Sequence, residues 1–241
     1  MTAAHSAVPR RERARTATIE EIKATALDLM RETGTTDARF TDIARVMGMT
    51  PPALYRYFAD HDELLTALIT DAYDDLGRTV AESRDAVPET DLGGRWLAAA
   101  EAYRQWARRE PQQFALIFGL PTPGYVAPQE GPTTEAANRA MSQLAALFAE
   151  AHHTGKLRRA IIRDVEPAFT RCVEEADKFS AIPTENFQAM MHAWASLHGF
   201  TCLEAFNHLD WVEPEARDAL FRAQVRLAAK AAGLPAPAGV R

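Results

Sequence analysis

The sequence predicts an all-α fold, a small three-helix N-terminal head followed by a larger helical body, about nine helices in total. Three observations predict it. Apolar residues recur at three- and four-residue spacing along most of the chain. Ala, Leu, Arg and Glu, all strong helix formers, dominate the composition. No stretch alternates β-branched and polar residues as a half-buried strand would. Of 241 residues 47% are hydrophobic and 25% charged, which is the balance of a globular protein with a full core.

Residues 1–15 are polar, basic and without periodicity, and read as a flexible arm. Ile19, Ile22, Ala26, Leu29 and Met30 then mark a helix that stops near Gly34. Asp42 to Met47 forms a second helix, closed by Gly48. Pro51 and Pro52 suit the first turn of a third, Ala53 to Phe58, because a first-turn proline loses no helical hydrogen bond. A fourth runs from Asp62 to Ser83, with Leu64, Leu65, Leu68, Ala72, Leu76 and Val80 as its buried stripe. Pro88 and Gly93-Gly94 mark a junction. Beyond it, Trp96, Ala100, Tyr103 and Trp106 give a helix broken at Pro111, and a short helix spans Gln112 to Phe118. Residues 121–132 read as a loop, and Ala136 to Ala151 as a helix. Residues 155–183 are ambiguous, since Pro167 interrupts a helical pattern from Val165 to Phe179. The last helices run from Glu185 to Asn207 and from Pro214 to Ala232, ahead of a loose tail. This divides the chain into an arm (1–15), a head (16–62), a body (63–233) and a tail (234–241).

Charge is distributed unevenly. The formal net charge is −6, yet residues 1–58 carry nine Lys or Arg against seven acids, leaving the remainder at about −8. A basic head on an acidic body confines phosphate affinity to one end. Within the head, two short helices joined at Gly48, with Ile43, Ala44, Met47, Leu54 and Phe58 inward, have the arithmetic of a helix-turn-helix. Thr50, Pro51, Tyr55, Arg56 and Tyr57 then face outward, and their hydroxyls and guanidinium suit phosphates and base edges.

Ile43-Ala44, Gly48, Thr50, Leu54-Tyr55-Arg56-Tyr57-Phe58 and Asp62-Glu63-Leu64-Leu65 resemble the tetracycline-repressor (TetR-like) family of regulators over about residues 17–66. The resemblance implies that Tyr55 and Tyr57 contact phosphates and that Thr50 contacts the DNA backbone. It also implies that Pro51, Pro52 and Arg56 lie nearest the bases. Two departures stand out. The family places Ser or Thr at the N-cap of the second helix, where this chain has Arg39, so that Asp37 or Thr41 would cap instead. It also places a phosphate-binding Lys before the fourth helix, where this chain has His61, a contact that protonation would strengthen. Arg39, Thr41 and His61 complete the DNA-binding set.

In the body, Phe187, Met190, Met191, Trp194, Leu197, Thr201, Cys202 and Phe206 make the penultimate helix apolar on more than one side, so it must pack on two. The last helix carries Ala216, Ala219, Leu220, Ala223, Leu227 and Ala231 at three/four spacing. These two helices are the expected homodimer interface, a four-helix contact. Trp194-Ala-Ser-Leu-His198-Gly199 resembles the Trp-x-x-x-His-Gly signature of one subclass of TetR-like C-terminal domains. Trp194, His198 and Thr201 share a helix face, as walls of a ligand pocket or as ordinary core. The other pocket candidates are Trp96, Tyr103, Phe114, Phe118, Met141, Phe169 and Met190, apolar walls suited to a small hydrophobic ligand.

These residues point to a DNA-binding transcriptional regulator, a repressor released from a palindromic double-stranded operator by that ligand. A transcriptional activator of the same fold, an architectural DNA-binding protein and a helical metal-dependent enzyme are the alternatives. No GxSxG, GxGxxG, P-loop, HExxH or CxxC motif supports an enzyme, and we expect no cofactor. Glu204 with His208, and His152 with His153, are the two weak metal pairs. Two cysteines outside any CxxC, no signal-like apolar run and no membrane span predict a cytoplasmic protein.

Overall fold

The computed structural model describes residues 10–119, 125, 130–176 and 181–237. Ten helices run through them: α1 (Arg10–Thr33), α2 (Phe40–Val46), α3 (Pro51–Leu54), α4 (His61–Asp85), α5 (Leu92–Arg109), α6 (Pro111–Phe118), α7 (Pro132–His153), α8 (Pro167–Ala176), α9 (Thr184–Ala205) and α10 (Pro214–Ala232). No strand occurs among the described residues. No helix among them is long and apolar enough to cross a membrane.

Three expectations need correction. The arm is helical from Arg10, with Glu12 in the first turn of α1, where the helix dipole favours an acid. Its polar sequence hid this because the first turns of α1 contribute no buried residue. Pro167 begins a helix instead of interrupting one, which raises the count from nine to ten. Gly93-Gly94 is no linker but the first turn of α5. Gly94 N–H donates to Oδ1 of the capping Asp91 at 2.8 Å, and a Cβ on Gly94 would collide with that carboxylate. A Cβ on Gly93 would meet the backbone of Pro235–Pro237, so the first residues of the tail are seated and Leu234 is buried. The sequence-derived loop 121–132 falls mostly outside the described residues.

The chain divides into two compact units. One holds residues up to Tyr73 with Glu110–Ala136; the other holds Asp74–Arg109 with Ala137–Arg241. The boundary between these units falls within α4. Ile22, Met30, Ile43, Leu54, Phe58 and Leu68 close the first core. The turn into α4 carries a reciprocal cap: Glu63 N–H donates to Asp60 Oδ1 at 2.8 Å, and the Glu63 carboxylate accepts from Ala59 N–H.

In the second unit α5, α9 and α10 pack on one another around Trp96, Trp106, Leu197 and Phe221. At their meeting point Arg104 of α5 is 1% exposed. It makes a two-pronged ion pair with Glu204 of α9, at 2.6 and 2.7 Å, and reaches Asp218 of α10 at 2.8 Å. Its guanidinium lies 4.6 Å from the Phe221 ring centroid and 5.7 Å from that of Phe200. Burial alone would lower the Arg104 pKa, but the two carboxylates outweigh it and hold it above its ordinary value.

Candidate nucleic-acid interface and apolar cavity

The connection between α2 and α3 is set by Gly48, whose φ of 65° is left-handed. Gly48 N–H donates to the Arg45 carbonyl at 3.4 Å and Met49 N–H to that of Ala44 at 2.8 Å, the paired bonds of a glycine-closed helix end. Thr50 occupies the N-cap of α3 with extended backbone, and Pro51 follows in the first turn. The third helix is shorter than the expected Ala53–Phe58. After Leu54 the chain tightens, with Arg56 and Tyr57 N–H donating three residues back, at 3.3 and 2.8 Å. That tightening turns Phe58 into the core.

Thr50, Pro51, Pro52, Tyr55 and Arg56 are exposed, and so are Arg39 and Thr41 at the start of α2. Tyr55 is 57% exposed although its ring centroid lies 5.2 Å from that of Phe40, a contact that fixes the ring and leaves the hydroxyl outside. Tyr57 is half-buried. Arg39 stands at the N-cap of α2 without a side-chain cap bond, so neither Asp37 nor Thr41 fills that role. His61 is half-buried at the first position of α4, and its Nε2 lies 3.2 Å from Asp37 Oδ1. A protonated His61 therefore meets a carboxylate before it meets a phosphate.

Sequence reasoning missed Arg15, which it left in the arm. Its Nη1 donates to the Arg56 carbonyl at 2.8 Å, and its guanidinium lies 5.4 Å from the Tyr57 ring centroid. Arg15 thus braces the turn that presents Tyr55 and Arg56. No local pattern announces a contact between residues 41 apart in the chain.

In the second unit a cavity of about 510 Å³ opens between α7 and α9. Met141, Leu144, Phe187, Met190, Met191 and Trp194 form its apolar walls, and Asn138 and Ser142 of α7 add polar groups. No charged side chain among the described residues lines it. Met141, Leu144 and Trp194 also line a separate gap of about 10 Å³ with Tyr103 of α5 and Leu76 and Val80 of α4.

Of the ten pocket candidates, Met141, Met190 and Trp194 line this cavity and Tyr103 lines the gap. Phe169 stands behind it, stacked on Phe187 at 6.0 Å. His198 stacks on Trp194 at 5.2 Å and meets Tyr103 Oη at 2.7 Å through Nδ1. It backs the wall by holding Trp194. Thr201 is buried, with its hydroxyl donating to the Leu197 carbonyl at 2.9 Å. Trp96 lines a different cavity and donates Nε1–H to the Val225 carbonyl at 2.9 Å. Phe114 and Phe118 belong to the first unit, where they pack on each other and Phe118 meets Tyr73. Asn138, Ser142 and Phe187 are lining residues that the sequence did not single out.

Glu204, one member of the first weak metal pair, is the counter-ion of Arg104. No group of three metal-binding side chains occurs among the described residues.

Burial lowers the His198 pKa below its ordinary 6.5. The unfolded chain then takes up the proton first on acidification, so this contribution to stability is whole above pH 6.5 and is lost as pH falls below it. His198→Asn should accordingly flatten the decline of the urea-unfolding midpoint between about pH 6.5 and 5. Parallel declines in the two proteins would show that His198 is not held neutral.

Comparison with known proteins gives consistent results. Residues 22–68 match the family described as bacterial regulatory proteins, tetR family, and residues 96–228 match the tetracyclin repressor-like C-terminal domain. HTH-type transcriptional regulators of Mycobacterium tuberculosis and Mycobacterium bovis are 32% identical to the chain over 215 residues, 86% of it and 91% of theirs. The crystal structure of a protein described as regulatory, SCO4313, superposes with a TM-score of 0.72 at 31% identity, covering 92% of this chain and 98% of that one. A protein of unknown function from Rhodococcus sp. RHA1 shares the fold, with a TM-score of 0.64 at 21% identity over 86% of this chain and 93% of its own.

Proposed function

Because the chain belongs to the TetR family of DNA-binding transcriptional regulators, we propose that it is a ligand-responsive repressor that grips a palindromic operator as a homodimer in the cytoplasm. The carrying observation is the exposed set Thr50, Pro51, Pro52, Tyr55 and Arg56 on a helix-turn-helix whose Ile43, Ala44, Leu54 and Phe58 are buried in its own core. Thr50 and Tyr55 bind phosphates with their hydroxyls, joined by Tyr57 and the flanking Arg39 and Thr41, while His61 reaches a phosphate only by leaving Asp37. Arg56, with Pro51 and Pro52, lies against base edges, where a guanidinium has a matched pair of acceptors on guanine.

Dimerisation is supported by a stripe of small and apolar residues that stays exposed among the described residues. Ala216, Ala219, Leu220, Ala223 and Leu227 carry it on α10, and Ala195 and Leu203 on α9. Gly199 lies between the latter two, and a Cβ there would have open space. Trp211, 83% exposed in the connection between the helices, extends the surface. A four-helix contact through these faces sets two heads against half-sites one helical turn apart, about 34–36 Å.

The α7–α9 cavity receives an uncharged hydrophobic ligand, since it has apolar walls, two polar groups at the mouth and no charge. The ligand acts by binding better to one setting of the heads than to another, with α4 as the lever that runs through both units. Whether DNA binding represses or activates a gene follows from where the operator lies.

Selection of bound duplexes from a random DNA pool tests this reading. We expect a palindromic consensus with half-sites one turn apart. Recovery of no consensus, or of a single unrepeated half-site, refutes it.

A further inference from the structure

A second cavity, of about 330 Å³, lies on the other flank of the second unit between the start of α5, the last turns of α10 and the tail. Its floor is apolar, made of Trp96, Leu97, Val225, Ala229, Leu234 and the tail prolines. Its remaining side chains are cationic: Arg158, Arg226 and Lys230. Among the described residues no carboxylate lines it, and none of the three cations makes an ion pair. This is unusual within a region whose net charge is about −8 outside residues 1–58.

Ordinary surface chemistry explains only part of the arrangement. Lys230 stands in the last turn of α10, where the helix dipole favours a cation. Arg158 comes from a separate segment and is fixed there by its backbone. Its N–H donates to the Gly233 carbonyl at 2.8 Å, and its carbonyl accepts from the buried Asn186 side chain at 2.8 Å. The tail is fixed as well, because only a glycine at position 93 admits Pro235–Pro237. The result is a hollow with an apolar floor, rimmed by three exposed cations from two segments that have no ion pair among the described residues.

We propose that this hollow binds a small amphipathic anion, an apolar molecule ending in a carboxylate. The apolar body lies on Trp96, Val225 and the tail prolines, and the carboxylate is met by Arg158, Arg226 and Lys230. A volume of about 330 Å³ sits at the small end of ligand sites, which selects a short chain or a single ring. The site is separate from the uncharged α7–α9 cavity and differs from it in the sign of ligand it accepts.

Calorimetric titration of the full chain with octanoate, and with octanol as its uncharged counterpart, tests the assignment. Octanoate should bind at one site per chain, about tenfold or more tighter than octanol, and should weaken as salt rises. The Arg226→Gln, Lys230→Gln variant, both positions being exposed, should lose about tenfold for octanoate and nothing for octanol. Ser142→Trp, which obstructs the mouth of the other cavity, should leave octanoate binding unchanged. Equal affinity for acid and alcohol overturns the proposal. So does an unaffected double variant, or loss of octanoate binding in Ser142→Trp.

Discussion

A Tyr55→Ala, Arg56→Ala variant will bind the selected operator about a hundredfold or more weakly, since each well-made base or phosphate contact is worth ~1–3 kcal/mol. Fold stability should change little by comparison, because both side chains are exposed and neither fills the core of the head. The one packing contact at stake is Tyr55 on Phe40, worth about 1 kcal/mol for an aromatic pair. Tyr55→Phe separates the two roles, since it keeps that ring contact and deletes only the hydroxyl. Gel-shift affinity at fixed salt, with thermal unfolding of the same preparations, reads both quantities. If Tyr55→Phe with Arg56→Gln binds as tightly as the parent, α3 and its following turn do not read DNA and the proposed interface lies elsewhere.

Arg104→Ala should cost about 3–5 kcal/mol of stability, the penalty for stranding a buried partner charge. The carboxylate left behind belongs to Glu204, which is buried; Asp218 is more accessible and can be hydrated instead. In a chain of this size such a loss lowers the melting temperature by roughly 10 °C or more. The Arg104→Met, Glu204→Leu double variant removes both buried charges and keeps the volume, so it should recover most of the loss. Melting curves are compared at one protein concentration, because a dimer's stability depends on it. A double variant as unstable as Arg104→Ala would locate the loss in packing against Phe200 and Phe221, not in the stranded carboxylate.

The head was legible almost residue by residue. Its contacts are short in sequence, and helical spacing alone reports which side of each short helix is apolar. Ile43, Ala44, Leu54 and Phe58 are buried as their positions require, and Gly48 makes the turn that its lack of a side chain permits. The body was legible only in part. Periodicity placed α5, α7, α9 and α10, and it marked the alanine-rich stripe of α10 that stays exposed in one chain. It could not separate Phe114 and Phe118 from Met141 and Trp194, since all four are apolar residues on amphipathic helices.

From the sequence alone follow the all-helical fold, the helix-turn-helix and the outward hydroxyls and guanidinium of its second helix. All of these are consequences of local propensity and spacing. Tertiary structure decided the rest: Arg15 bracing Arg56, Glu204 claimed by Arg104, Gly93 yielding to the tail, and the walls of both cavities. Each of those contacts joins residues far apart in the chain, and which helices meet is a property of how the whole core packs, to which no single segment is sensitive.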